Sequence, residues 1–143
     1  MSGNWVGFQS MPKAQAGLTT RHFRLNVETP AQHSEVLELL TTSAGLSKWL
    51  GATSKCQASV GAKFRTQMDG VEVENVFIAI SLPRQVVLMN EALGEINAKI
   101  KNFADHLQVS ITVSRATTDV DFESWHLQAS AVTAKLEALI ARA

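Results

Sequence analysis

The chain has 143 residues, of which 45% are apolar and 18% charged, and its 13 basic and 13 acidic side chains cancel. That length and balance fit a single domain able to bury a real core, and they exclude disorder. Neutrality removes any electrostatic reason to bind nucleic acid or an anionic membrane, and no apolar run reaches the ~18 residues that membrane insertion needs.

Residues 1–17 are rich in Gly, Ser and Gln without a clean period and read as an N-terminal tail. Trp5, Val6 and Phe8 are unusual in a solvated tail and point to docking on the domain that follows, residues 18–143. No basic segment followed by an apolar run opens the chain, so no secretory leader is expected. Cys56 is the only cysteine and cannot form an internal disulfide, which fits a reducing cytoplasm.

Thr20 to Glu28 alternates, with Phe23, Leu25 and Val27 on one face, as in a half-buried strand. Thr29 as N-cap, Pro30 at the first helical position and Gln32 completing a capping box predict a helix there. Its stripe is Val36, Leu39 and Leu40, and it ends near Thr41 or Thr42. A second short helix sets Leu46, Trp49 and Leu50 on one face and stops at Gly51.

From Lys55 to Ser114 the period is two. Cys56, Ala58 and Val60 predict a strand; Gly61 marks a turn or bulge; Phe64, Thr66 and Met68 predict the next strand. Asp69-Gly70 is a hairpin turn signal. Val71 and Val73 then alternate until the phase slips near Asn75, where a bulge passes the inward positions to Val76, Ile78 and Ile80. After a turn at Leu82-Pro83-Arg84 come strands at Gln85–Asn90, Ile96–Phe103 and Leu107–Val113. Thr118, with Asp121 three residues later, opens a final helix that runs to Arg142. Phe122, Trp125, Ala129, Val132, Leu136, Leu139 and Ile140 fall within a sector of roughly 100° on that helix, with Ser124, Lys135 and Arg142 opposite. The expectation is an α+β domain: a curved antiparallel sheet of about seven strands wrapped on a long C-terminal helix, with two short helices after the first strand.

Several local patterns, in this order, resemble the START-like, helix-grip (SRPBCC) superfamily. The nearest branch is the one named after the activator of the heat-shock-protein-90 ATPase. The first strand and helix entry, Phe23-x-Leu-x-Val-x-x-Pro30, look like that branch, as does Thr41 to Gly51 with Leu46 and Trp49. So do Val60-Gly61-Ala62-Lys63-Phe64, the Pro83-Arg84-x-Val86-Val87-Leu88 strand, and Trp125 near the start of the last helix. The likeness covers roughly Thr20 to Arg142. Met89-Asn90 and Ser114-Arg115-Ala116 depart from the branch at positions that commonly border its cavity.

The resemblance implies a space between helix and sheet that relatives use for an apolar small molecule or lipid-like ligand. Trp49, Phe64, Met68, Val76, Ile78, Met89, Asn90, Phe122 and Trp125 are the expected lining, unless those side chains fill the space themselves. Asn75, Asn90 and Asn102 stand in apolar registers, and either orient a ligand or find partners in the backbone. Glu123 and His126 have the Glu-x-x-His spacing of di-metal bundles, but one copy without further carboxylates reads as a solvated face. Neither a metal nor a cofactor is expected, and no catalytic residue is assigned. Non-enzymatic binding of an apolar ligand by a monomer or weak homodimer makes the fewest demands on these residues. A polyketide-cyclase-like enzyme and a chaperone-interacting module are the alternatives.

Overall fold

The computed structural model describes residues 17–143. Residues 1–16, and with them the docking expected of Trp5, Val6 and Phe8, lie outside the described residues.

The chain runs β1 (Thr19–Thr29), α1 (His33–Thr41), α2 (Ser43–Ser47), β2 (Ala52–Thr53), β3 (Lys63–Met68), β4 (Val71–Ser81), β5 (Gln85–Asn90), β6 (Gly94–Asn102), β7 (Leu107–Thr117) and α3 (Asp119–Arg142). All seven strands join one sheet in the order β1-β7-β6-β5-β4-β3-β2, antiparallel throughout. Strands β3 to β7 meander through short turns, so each pairs with its neighbour in sequence. Asp69 and Gly70 both take positive φ, 52° and 80°, as a two-residue hairpin turn between right-twisted strands requires. Only β1 departs from this order, crossing through α1 and α2 to pair with β7.

The curved sheet turns its apolar face towards α3. Val109, Ile111 and Val113 of β7 are fully buried there, opposite Val27, Leu25 and Phe23 of β1. The expected stripe on α3 meets them: Trp125, Ala129, Val132, Leu136 and Ile140 are buried, and Phe122 and Leu139 are half-buried. At about 1.5–3 kcal/mol for a buried large apolar side chain, this stripe anchors the fold. Thr118 caps α3 by accepting the Asp121 N–H at 3.2 Å, and Asp119 and Asp121 complement the positive end of its dipole.

Three local expectations are corrected. α1 begins at His33, and Gln32, not Thr29, is its N-cap: the Gln32 N–H donates to Glu35 Oε1 at 3.0 Å. Thr29 is still in β1, paired with Leu107, and its hydroxyl accepts the Ala31 N–H at 3.1 Å to start the turn. The strand expected over Cys56 to Val60 does not form. Cys56 and Ala58 pack half-buried on the core, but β2 pairs with β3 for two residues only and the chain then leaves the ladder. The bulge in β4 falls between Phe77 and Ala79, two residues later than expected, so Asn75 and Phe77 face inward.

The two short helices lock onto each other through a glycine. Thr42 caps α2 by accepting the Gly45 N–H at 2.9 Å, and a Cβ on Gly45 would sit inside the Glu38 carbonyl of α1. Gly45→Ala should therefore cost about 2–3 kcal/mol in urea unfolding, since the backbones must separate to admit the methyl. A cost under about 0.5 kcal/mol would mean the helices are not in this contact.

Candidate functional site

α3 approaches the sheet most closely at β1 and β7. A cleft of about 790 Å³ remains between α3, the β3–β4 hairpin and the chain leaving α2. Buried side chains form its apolar part: Trp49, Leu50, Met68 and Val132 are 1%, 3%, 6% and 8% exposed. Val120 and Leu127 of α3 add apolar surface open to solvent, 89% and 66% exposed. Gln67, Asp69, Glu123, Gln128 and Lys135 make the remaining border polar.

Each wall is held by a specific contact. The Trp49 indole N–H donates to the Leu39 carbonyl at 2.7 Å, which fixes the ring beneath α1. Gly51, at φ 135°, lies so close to β3 that a side chain there would strike the Gln67 carbonyl. Met68 ends β3 with its sulfur 3.5 Å from Asn90 Nδ2. The Trp125 indole N–H donates to the Leu93 carbonyl at 2.9 Å and pins the first turns of α3 to the β5–β6 turn.

Of the nine side chains expected to line a cavity, only Trp49 and Met68 border the cleft. Phe64 is buried against Phe77, ring centroids 5.1 Å apart. Trp125 is buried with its N–H on the Leu93 carbonyl, and Phe122 lies over the β1 side with the Arg21 guanidinium 4.6 Å above its ring. Val76, Ile78 and Met89 are corrected to the outer face. Val76 opposes Met89 across the ladder, and Met89 and Ile78 are 38% and 39% exposed. The late bulge is the cause for Val76 and Ile78, because it keeps Phe77 rather than its neighbours on the inner face, while Met89 lies between the buried Leu88 and Asn90 of β5.

Asn90 is inward but serves the framework. Its Oδ1 accepts the N–H groups of Ala92 and Leu93 at 2.9 and 2.8 Å, and its Nδ2 donates to Asn75 Oδ1 at 2.7 Å. Asn75 Nδ2 in turn donates to Thr66 Oγ1 at 3.1 Å and to the Val73 carbonyl at 3.3 Å. Both amides are 1% exposed and have partners at every polar atom, which is the backbone-satisfying role rather than a free ligand anchor. Asn102 is exposed at the end of β6.

Sequence reasoning missed the polar border and the two exposed apolar residues of α3. Leu127 and Val120 fall outside the core stripe, and a single exposed apolar residue is ordinary on any surface. Their place on the α3 wall of a cleft that Trp49, Leu50 and Met68 also line is what gives them meaning. Glu123 borders the cleft while His126 packs edge-on to Phe23, centroids 5.4 Å apart, so the Glu-x-x-His spacing does not converge. Among the described residues no group of three His, Cys, Asp or Glu could hold a metal. Burial pushes the Cys56 thiol up from its ordinary pKa, away from nucleophilic use. No described helix is long and apolar enough to cross a membrane.

Solved structures share this arrangement. A Bacillus halodurans protein matches with a TM-score of 0.69 at 16% identity, over 84% of this chain and 96% of its own. The Aha1 dimer from Colwellia psychrerythraea matches at 0.61 and 18% identity, over 84% of this chain and 96% of its own. DynU16, from the dynemicin biosynthetic locus, matches at 0.64 and 16% identity over 82% of this chain, which spans 46% of it. The fold is the helix grip. At these identities the likeness carries the fold alone. No family model matches the chain, and no curated protein matches its sequence.

Proposed function

We propose that residues 18–143 form a single START-like domain that binds an apolar small molecule in the cleft beside α3 and does not transform it. The observation that carries this reading is the pairing of a buried apolar floor, Trp49, Leu50, Met68 and Val132, with exposed Val120 and Leu127 on the same cleft. Exposed apolar side chains gain from a ligand what they lack in the free protein, and a volume near 790 Å³ is within the range of small-molecule sites. Met68 is suited to such a wall because its unbranched thioether adapts to the shape it meets.

A cyclase-like enzyme in the same cleft would have to work through Asp69, Glu123 or the exposed Lys135. Neither carboxylate hydrogen-bonds to a described side chain, and both are exposed, so the positioned proton transfer that such chemistry needs has no support here. The motifs from Phe23 to Trp125 support the branch of the heat-shock-protein-90 ATPase activator as the source of the fold. The lone thiol supports a cytoplasmic protein, and nothing in the cleft requires a cofactor.

The test is uptake of a neutral apolar fluorescent probe. Met68→Arg and Leu127→Arg should each weaken uptake by about tenfold or more, since both place a charge on apolar cleft surface. Met89→Arg, on the outer face, should bind like the wild type. Leu127 is exposed, so its variant separates loss of binding from loss of folding. Wild-type uptake in both cleft variants would overturn the assignment.

A further inference from the structure

The described part of the chain begins beside the cleft. Leu18 lines a hollow with Arg115, Thr118, Asp121 and Trp125, and Ser124 and Gln128 line both that hollow and the cleft. The two therefore adjoin on α3. Residues 1–16 lead into this place, and they carry Trp5, Val6 and Phe8. Phe8 precedes Gly17 by nine residues, up to about 30 Å of extended chain. A helix with its side chains is only about 10–12 Å wide, so the apolar group reaches past Ser124 and Gln128 to Leu127. Val120 and Leu127 stand open on the α3 wall, 89% and 66% exposed, in the cleft whose floor includes Trp49, Leu50 and Met68. A docked Trp or Phe buries about 150–250 Å², which is the cover these side chains lack within residues 17–143. Lys13 is the only charged side chain in residues 1–16. Along hollow and cleft, Asp69, Asp121 and Glu123 outnumber Arg115 and Lys135, and the Arg115 guanidinium already donates to the Ala92 carbonyl.

We propose that residues 1–16 are the cleft's own occupant: Trp5, Val6 and Phe8 lie over Val120 and Leu127 and close the cleft until a ligand displaces them. This rests on the binding reading above and adds a regulation to that site. The segment is tethered at Gly17, so its effective concentration at the cleft is on the order of millimolar without any partner. Weak apolar contacts at that concentration suffice to close the cleft most of the time. A ligand's apparent affinity then falls with the fraction of molecules that stand open, by about three- to tenfold when roughly two-thirds to nine-tenths are closed. Lys13, between the apolar group and Gly17, passes the carboxylates of Asp121 and Glu123 and draws the segment along this side of α3.

Two readouts on the whole 143-residue chain test this. The first is a nitroxide attached through Ser2→Cys in a Cys56→Ser background, with broadening of backbone amides followed by nuclear magnetic resonance. Amides at 67–69 and 120–131 should broaden, and the broadening should be lost when Trp5→Ser and Phe8→Ser are added. The second is the affinity for Nile red, a neutral apolar dye. The protein carrying Trp5→Ser and Phe8→Ser should bind it about three- to tenfold tighter than the wild type, and Lys13→Glu about twofold tighter. Equal affinity in these proteins, or broadening confined to the residues beside Leu18 and Arg115, would overturn the segment as occupant while leaving the cleft as a binding site. Mixing spin-labelled protein with isotope-enriched protein that lacks the label separates the copies. Broadening found only in that mixture would give the cleft to a neighbour's N-terminal segment and overturn the proposal. Broadening as expected with no Nile red bound by any of the proteins would overturn the binding reading, and the regulation with it, while the place of the segment stood.

Discussion

Replacing Trp125 with alanine should cost about 3–5 kcal/mol of stability in urea unfolding, a large part of the 5–15 kcal/mol that domains of this kind possess. The indole is 4% exposed and is the point where α3 meets the sheet through both packing and a hydrogen bond. Truncation leaves a cavity beneath the helix and deprives the fully buried Leu93 of the donor to its carbonyl. Trp125→Phe separates the two contributions. It keeps most of the apolar volume and loses the N–H, so it should cost about 1–3 kcal/mol, the range for a buried polar group left unpaired. An alanine variant within about 1 kcal/mol of the wild type would mean that α3 is not anchored at this turn.

The second large effect is expected at the buried amides. Asn90→Ala removes the acceptor for two N–H groups, Ala92 and Leu93, and the donor to Asn75 Oδ1. With about 1–3 kcal/mol for each buried group left unsatisfied, and some relaxation, about 3 kcal/mol is expected in chemical unfolding. Asn75 and Asn90 should also be coupled. In a double-mutant cycle with Asn75→Ala, the two losses should fall short of additivity by about 1 kcal/mol or more, because each change already breaks the 2.7 Å bond they share. Asn102→Ala, at an exposed strand end, should stay within about 0.5 kcal/mol of the wild type. Additive losses at the pair would show that the amides act separately.

These two sites mark how much of the fold could be read before any coordinates. The stripe on α3 was legible because seven apolar residues recur at helical spacing, and all seven are buried or half-buried on the core. β7 was legible for the complementary reason: Leu107, Val109, Ile111 and Val113 alternate without a break. Register failed where alternation stopped carrying information. From Val76 to Ile80 every residue is apolar, so a period of two cannot assign faces, and a shift of one residue reverses each side chain. That ambiguity moved Val76 and Ile78 from the expected cavity to the outer face, and the unbroken apolar run Val86 to Met89 did the same for Met89. Burial alternates only from Cys56 to Ala58, Val60 is exposed, and no ladder forms, since the period reports which side chains can be covered and not whether the backbone has a partner strand.

The cleft itself was not legible. Its walls come from three separate parts of the chain, around Trp49, around Met68 and along α3. Its border residues, Gln67, Asp69, Glu123 and Lys135, are of the types found on any solvated surface. Trp49 and Met68 were expected on a cavity wall because Met and aromatic side chains suit adaptable apolar pockets, and both border the cleft. Leu127 was not, because only tertiary placement distinguishes it from a scattered exposed leucine.

The central claim is that the space beside α3 is where this protein takes up a ligand. Backbone amide shifts followed by nuclear magnetic resonance, during titration with the neutral apolar probe, test it most directly. Shifts concentrated at residues 49–51, 67–69 and 120–135 are the predicted result. Shifts confined to the outer face around Val76 and Met89, or none at probe concentrations that saturate its fluorescence, would contradict it.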